Sequence, residues 1–181
     1  RFQVDEESRQ HVGLAAFDLP DGLEESRLLL VAASAIRLLE EALQLRQAAL
    51  TGQTQCLLRG RKLGLLCSDA SRPEARLFER AACELGAHVA HLSLTTVSDA
   101  APDEMGPVAR LLGRLYDAVE CQDMDSAAVR RLAWAADTVV FDGLASPAHP
   151  TAALAAQMGD LGTAADNRRF VLQAVLLKAI T

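Results

Sequence analysis

Apolar and polar positions along this chain follow two alternating periods. From residue 24 to about 49, EESRLLLVAASAIRLLEEALQLRQAA spaces its apolar residues three and four apart and gathers acids at its start, which predicts one long helix. TGQTQ breaks it, and KLGLLC is a short continuous apolar run that predicts a first strand over about 62–67. A helix over about 75–85 ends at Gly86, and HVAHLSL supplies a second strand. TTVSDAAPDEMGP is a loop of small residues and prolines, long enough to move or to reach a neighbouring subunit. It leads into a helix, VARLLGRLY. DAVECQ predicts strand three, DSAAVRRLAWAA a helix whose Trp134 packs toward the sheet, and DTVVFDG strand four. A turn and a helix starting near Pro150 follow, and DNRRFVLQAVLLKAIT predicts a last amphipathic helix capped by Asp166 or Asn167.

The repeated strand, helix, strand rhythm predicts the α/β class: a single Rossmann-like three-layer domain with a parallel sheet of about four strands, right-handed crossovers and flanking helices. Residues 1–13 read as a loose arm, 14–158 as the α/β domain, and 159–181 as a short loop and a C-terminal helix that packs back on it. A chain of 181 residues buries roughly 70% of its unfolded surface, enough for one core and too little for a second α/β domain.

Composition narrows the partners. Half the residues are hydrophobic and only 4% aromatic, which suits a Leu, Ala and Val core of helices and parallel strands. The net charge is −6, and basic residues are scattered or stand near acids, as in RGRK and NRR, so nucleic acid is not an expected partner. Cys56, Cys67, Cys83 and Cys121 show neither metal-ligand spacing nor a disulfide framework, and are expected as free, mostly buried thiols in a reducing cytoplasm. No apolar run reaches the roughly 18–20 residues of a membrane span. The polar start does not read as a signal peptide. Neither a metal nor a cofactor is expected.

The candidate chemistry lies in the turn SDASRPEAR, between the first strand and its helix, where backbone amides converge as in anion-binding α/β proteins. Pro73 removes one donor there and Glu74 adds a negative charge. Ser71 reads as a phosphate ligand or as the N-cap of the helix, Pro73 as an early-helix proline. His88, His91 and His11 show no partner pattern.

Four stretches then carry a resemblance. LLRGRKLGLL, FERAACELGAHVAHL, VARLLGRLYDAV and DGLASPAHPTAALAAQM, in that order within residues 24–158, resemble the carbamoyl-phosphate domain of the aspartate and ornithine carbamoyltransferases; HPT is the most specific piece. DNRRFVLQAVLLKAI is similar to the family's C-terminal helix. Between these pieces a full family member holds its amino-acid-binding domain, with HCLP-like and SMG-like motifs. This chain has a short loop there and neither motif.

The family's phosphate turn reads S-T-R-T-R, whereas this chain has Ser71-Arg72-Pro73-Glu74-Ala75. Gln122 stands where the resemblance places an arginine, Ala152 where it places a glutamine, and the loop that serves a neighbouring subunit contains no lysine. His149 stands where the family's histidine polarises the carbamoyl carbonyl. Like charges 4 Å apart repel by about 1 kcal/mol in water and about 4 kcal/mol near a protein surface, so Glu74 opposes an anion.

The resemblance implies Ser71, Arg72, Arg76, His149 and Thr151 as the residues that would hold carbamoyl phosphate or another small anion, with His149 as a relic catalytic group. Arg72 and Arg76 would substitute for the lost arginine. It also implies a homo-oligomer, a trimer, with room for a protein partner. The expected function is that of a degenerate carbamoyltransferase homologue lacking the amino-acid domain and acting as a binding or regulatory protein. The alternative is a carbamoyl-phosphate-binding subunit of an aspartate/ornithine carbamoyltransferase-type enzyme.

Overall fold

The computed structural model describes residues 24–94 and 105–181. The expected arm over 1–13, the start of the domain at 14 and most of the TTVSDAAPDEMGP loop lie outside the described residues. The elements run α1 (Glu24–Leu50), β1 (Lys62–Cys67), α2 (Pro73–Glu84), β2 (His88–Ser93), α3 (Met105–Leu115), β3 (Ala118–Cys121), α4 (Ser126–Ala136), β4 (Val139–Asp142), α5 (Ala152–Ala156) and α6 (Ala164–Ile180). The four strands form one sheet in the order β2-β1-β3-β4, every pair parallel. This is the α/β architecture that the alternation of periods predicts.

Strand position follows side-chain character. In β1 every residue after Lys62 is buried, and in β3 all four are, as continuous apolar runs require at the centre of a sheet covered on both faces. Helices α2 and α6 cover one face, packing Phe78, Ala82, Leu172 and Leu176 against Leu63 and Leu65. Helices α3 and α4 cover the other, with Ala109, Leu112, Val129 and Leu132 against Leu66, Val119 and Cys121. A third cluster, including Ala42, Leu154, Met158, Phe170 and Val171, joins α1, α5 and α6.

Four expectations need correction. Trp134 does not pack on the sheet; it is 80% exposed, because Val129, Leu132 and Ala136 form the buried stripe of α4 and Trp134 falls off it. The N-cap of α6 is Thr163, whose Oγ1 accepts from the Asp166 N–H at 3.0 Å; Asp166, three residues on, accepts from the Thr163 hydroxyl at 2.8 Å. Helix α6 is not amphipathic: every residue from Asn167 to Leu177 is buried, since α1 covers the side turned away from the sheet. Of the four free cysteines, Cys67 and Cys121 are buried, while Cys56 and Cys83 are exposed.

Buried polar groups fasten α6 to its neighbours. Arg46 Nη1 of α1 donates to the Met158 carbonyl at 2.8 Å and to Asn167 Oδ1 at 3.1 Å. Glu84 of α2 accepts from Arg169 and, at 2.9 Å, from Gln173 Nε2. These bonds tie the C-terminal helix to α1, to α2 and to the segment after α5.

Candidate functional site

In parallel α/β sheets ligand crevices lie beyond the carboxyl ends of the strands. Here β1 leads into the turn at residues 68–72, β3 into Gln122 and Asp123, and β4 into the turn from Gly143 to Thr151. The first turn of α2 adds amides without helical partners. Pro73 is at the start of that helix and Arg72 is its N-cap residue, with no side-chain capping bond. Ser71 is therefore not the cap. Its backbone N–H donates to Asp69 Oδ1 at 2.8 Å, and hydrogen bonds from Ser71 hold the Asp69 carboxyl below the usual carboxylate range. The serine is thus turned onto an anion that the protein itself supplies.

Arg72 is occupied in the same way. Its Nη1 pairs with Asp123 Oδ1, and its Nε lies 3.6 Å from Glu74 Oε2. Asp123 adopts a left-handed backbone, φ 60°, and also accepts from the Ser68 hydroxyl at 2.6 Å. Glu74 Oε2 is buried without a hydrogen bond, so Arg72 is its charge partner. Arg76 is exposed and makes no ion pair among the described residues.

A second group gathers behind β3 and β4. Glu120 is fully buried and accepts from the Leu144 N–H at 3.1 Å, the Ala145 N–H at 3.2 Å and Gln122 Nε2 at 3.3 Å. Burial outweighs these bonds and pushes its carboxyl up to about 8. Arg168 reaches in from α6. Its Nη1 donates to Thr151 Oγ1 at 3.0 Å, and its Nη2 to the carbonyls of Leu144 and, at 3.5 Å, Ser146. Burial lowers the guanidinium to about 10, which leaves it cationic at neutral pH. His149 is half-buried, its Nδ1 2.9 Å from Thr151 Oγ1 and 3.3 Å from the Thr151 nitrogen. Burial and the nearby Arg168 hold the imidazole below its ordinary range, with Asp142 pulling the other way.

A cleft of about 530 Å³ is walled by Pro73 and Glu74 of α2, Ala145 and Pro147 of the β4–α5 turn, and Asp160 and Arg168. Of the five residues singled out from sequence, the structure joins His149 and Thr151 directly and sets Ser71, Arg72 and Arg76 at the start of α2. Sequence reasoning missed Glu120, Asp123 and Arg168. A lone acid inside the apolar strand AVEC was a signal for the first; nothing local pointed to the other two. Gln122 is buried and serves Glu120 rather than facing an open site. His91, expected without a partner, lies 3.1 Å from Glu79 Oε1. Among the described residues no three His, Cys, Asp or Glu side chains are grouped to hold a metal ion, and no helix is long and apolar enough to cross a membrane.

Fold and geometry define an α/β domain whose polar side chains gather in the turns after β1, β3 and β4, beside a cleft lined mostly by apolar residues. The chain belongs to the aspartate/ornithine carbamoyltransferase family, whose carbamoyl-P binding domain matches residues 30–159. Ornithine carbamoyltransferase of Actinobacillus pleuropneumoniae is 36% identical over 118 residues, which is 65% of this chain and 35% of that protein. The Cutibacterium acnes enzyme is 37% identical over 114 residues, 63% of this chain and 34% of its own length. The chain thus spans about a third of the length of the curated relatives it matches. Among solved structures, ornithine carbamoyltransferase from Pyrococcus furiosus superposes with a TM-score of 0.62 at 29% identity, over 70% of this chain and 41% of that one. The catalytic subunit of M. jannaschii aspartate transcarbamoylase, at 21% identity and a TM-score of 0.56 over 68% of this chain and 41% of that one, shares the fold.

Proposed function

We propose that this chain is a carbamoyltransferase homologue without the amino-acid-binding domain, with no transferase activity of its own, that serves as an oligomeric binding or regulatory protein of the cytoplasm. The observation that carries this reading is the state of Arg72, the cation that would hold a phosphate at the start of α2. It is paired with Asp123 and Glu74, while Ser71 is turned onto Asp69. An incoming phosphate must displace two carboxylates from one guanidinium and then lie beside them, at a repulsion of about 1–4 kcal/mol per like-charge contact. The connection between α5 and α6, residues 157–163, leaves no chain for an acceptor-binding domain at that point.

The test is calorimetric titration of the purified protein with carbamoyl phosphate at low salt, with inorganic phosphate as control and molar mass measured by light scattering in the same buffer. The expected result is no saturable heat below about 0.1 mM ligand and the mass of a trimer. Binding tighter than about 0.1 mM, roughly 5.5 kcal/mol, abolished in His149→Ala, would overturn the reading. It would establish instead a carbamoyl-phosphate-binding subunit that needs its acceptor site from another chain. A monomer would remove the oligomeric part of the proposal.

A further inference from the structure

We propose that the cleft between α1, the end of α2 and α6 is a second ligand site, which takes a small aliphatic amine as its ammonium ion. The cleft holds about 390 Å³. It lies among the segments that enter β1 and β2, whereas the turns that carry Ser71 and His149 leave β1 and β4. Leu45 and Phe170 stand among its apolar walls, while Glu41, Glu84, Arg169 and Gln173 supply charge and buried polar groups.

Hydrogen-bond valence sets the sign of the ligand. Gln173 is 4% exposed, and its Nε2 donates to Glu84 Oε2 at 2.9 Å and to the Ala81 carbonyl at 3.4 Å. Two acceptors on that side fix which end of the amide is nitrogen. Oε1 accepts no bond among the described residues and is not sealed in, so it opens on the cleft that Gln173 lines. Arg169, a cation of the lining, is already neutralised. Its Nη1 pairs with Glu84 and its Nη2 with Asp166 at 3.0 Å, its guanidinium carbon lies 4.4 Å from the Phe170 ring centroid, and its Nε is enclosed without a partner. Glu41 has no such match, since it makes no ion pair among the described residues.

The backbone field has the same sign. Helix α1 meets the cleft through Ala48 and Ala49, and α2 through Glu84 and Leu85, so both present the negative ends of their dipoles. Neither helix carries a basic residue in its last turn. Gln44 and Gln53 at the rim can turn either end of their amides and favour neither sign. An ammonium has three donors and no acceptor, which answers an unused carbonyl and an unpaired carboxylate, and its alkyl chain meets the apolar wall. A carboxylate or phosphate would meet acceptors that it cannot bond.

Calorimetric titration of the full chain with butylammonium chloride at low salt tests this, with butan-1-ol and sodium butyrate as neutral and anionic counterparts. The expected result is saturable binding of the amine alone, with a Kd of about 1–10 mM for so small a ligand. In ¹H–¹⁵N correlation spectra the amide signals of 45–57, 84–85 and 169–173 should move, with the Gln173 side-chain amide, and those of 143–151 should stay still. Glu41→Gln should weaken binding about fivefold, the worth of one exposed charge contact, and Glu41→Lys should remove it. Gln173→Leu should remove it too; should that variant fail to fold, the Glu41 pair, at an exposed position, still decides. Equal binding of butan-1-ol, tighter binding of butyrate, an amine titration without saturation, an affinity unmoved in both Glu41 variants, or shifts centred on 143–151 overturns the proposal. No phosphate ligand is used, so the outcome is independent of whether carbamoyl phosphate binds.

Discussion

Glu120 is the acid whose environment is most at odds with its charge. Its three hydrogen bonds favour the carboxylate, but complete burial raises its pKa to about 8 from the ordinary 4.5. Between these values the unfolded chain releases a proton that the native chain keeps, so this group's contribution to stability falls as pH rises from about 4.5 to 8 and is level outside that window. Glu120→Gln removes the titration while keeping one acceptor oxygen. The difference between wild-type and variant melting temperatures should therefore shift in the variant's favour as pH rises from 5 to 8; a constant difference would refute the assignment. Asp123 supports a second prediction. Asp123→Asn keeps the left-handed backbone that Asn tolerates and frees Arg72 from a full negative charge. Combined with Glu74→Thr, it should strengthen phosphate binding at least about tenfold by calorimetry, since relief of one like-charge contact is worth about 1–4 kcal/mol. These residues also show where local reading stops. Ser71, Pro73 and Glu74 stand close together in the chain, so a local reading finds them. Asp123 and Arg168 reach the site from 51 and 17 residues away from their partners Arg72 and Thr151. Pairings of that kind depend on sheet order and on the height of a helix, which no local pattern contains.

At the scale of elements, periodicity predicts most of the outcome because each helix and strand is selected by its own buried stripe. The strand positions, the long first helix and the stop at Gly86, which adopts φ 86° with Cys56 pressed against the space a Cβ would fill, all follow from local composition. Trp134 and the α6 cap escaped because which face of a helix is buried, and which of several polar residues caps it, depend on neighbours. The packing of α3 on α4 depends on a single missing side chain. A Cβ built on Gly113 would lie 1.7 Å from the Ala136 carbonyl oxygen, a backbone atom that cannot swing aside. Helix propensity alone favours Gly113→Ala by up to about 1 kcal/mol. Sterics should reverse that sign: the variant should lose about 2 kcal/mol or more, read as a lower midpoint in urea. Unchanged or raised stability would mean that the two helices separate without cost. At the N-terminus of α6, Thr163→Ala should cost about 1 kcal/mol by removing the Thr163–Asp166 exchange.

For the whole molecule, α6 is the element that turns a sheet and its crossovers into one body. It contributes Leu172, Val175, Leu176 and Leu177 to the cluster beneath β1, and Phe170, Val171 and Ala174 to the cluster beneath α1. Its charged face, Arg168 and Arg169, bonds the β4–α5 turn and α2. The apolar residues of DNRRFVLQAVLLKAIT gather on no one face, which is itself the mark of a helix buried all round; what covers its second side appears only when α1 is seen to close over it. A graded comparison tests this centrality. Leu172, fully buried, should lose about 2–5 kcal/mol on truncation to alanine. Leu161, 77% exposed in the α5–α6 connection, should lose almost nothing. A chain ending at Thr163 removes both sets of contacts at once and should show no cooperative thermal transition by circular dichroism. If that shortened chain melted cooperatively near the wild-type midpoint, α6 would be an accessory. The site formed by Arg168, Thr151 and His149 would then be an addition to a self-sufficient sheet rather than part of what holds it together.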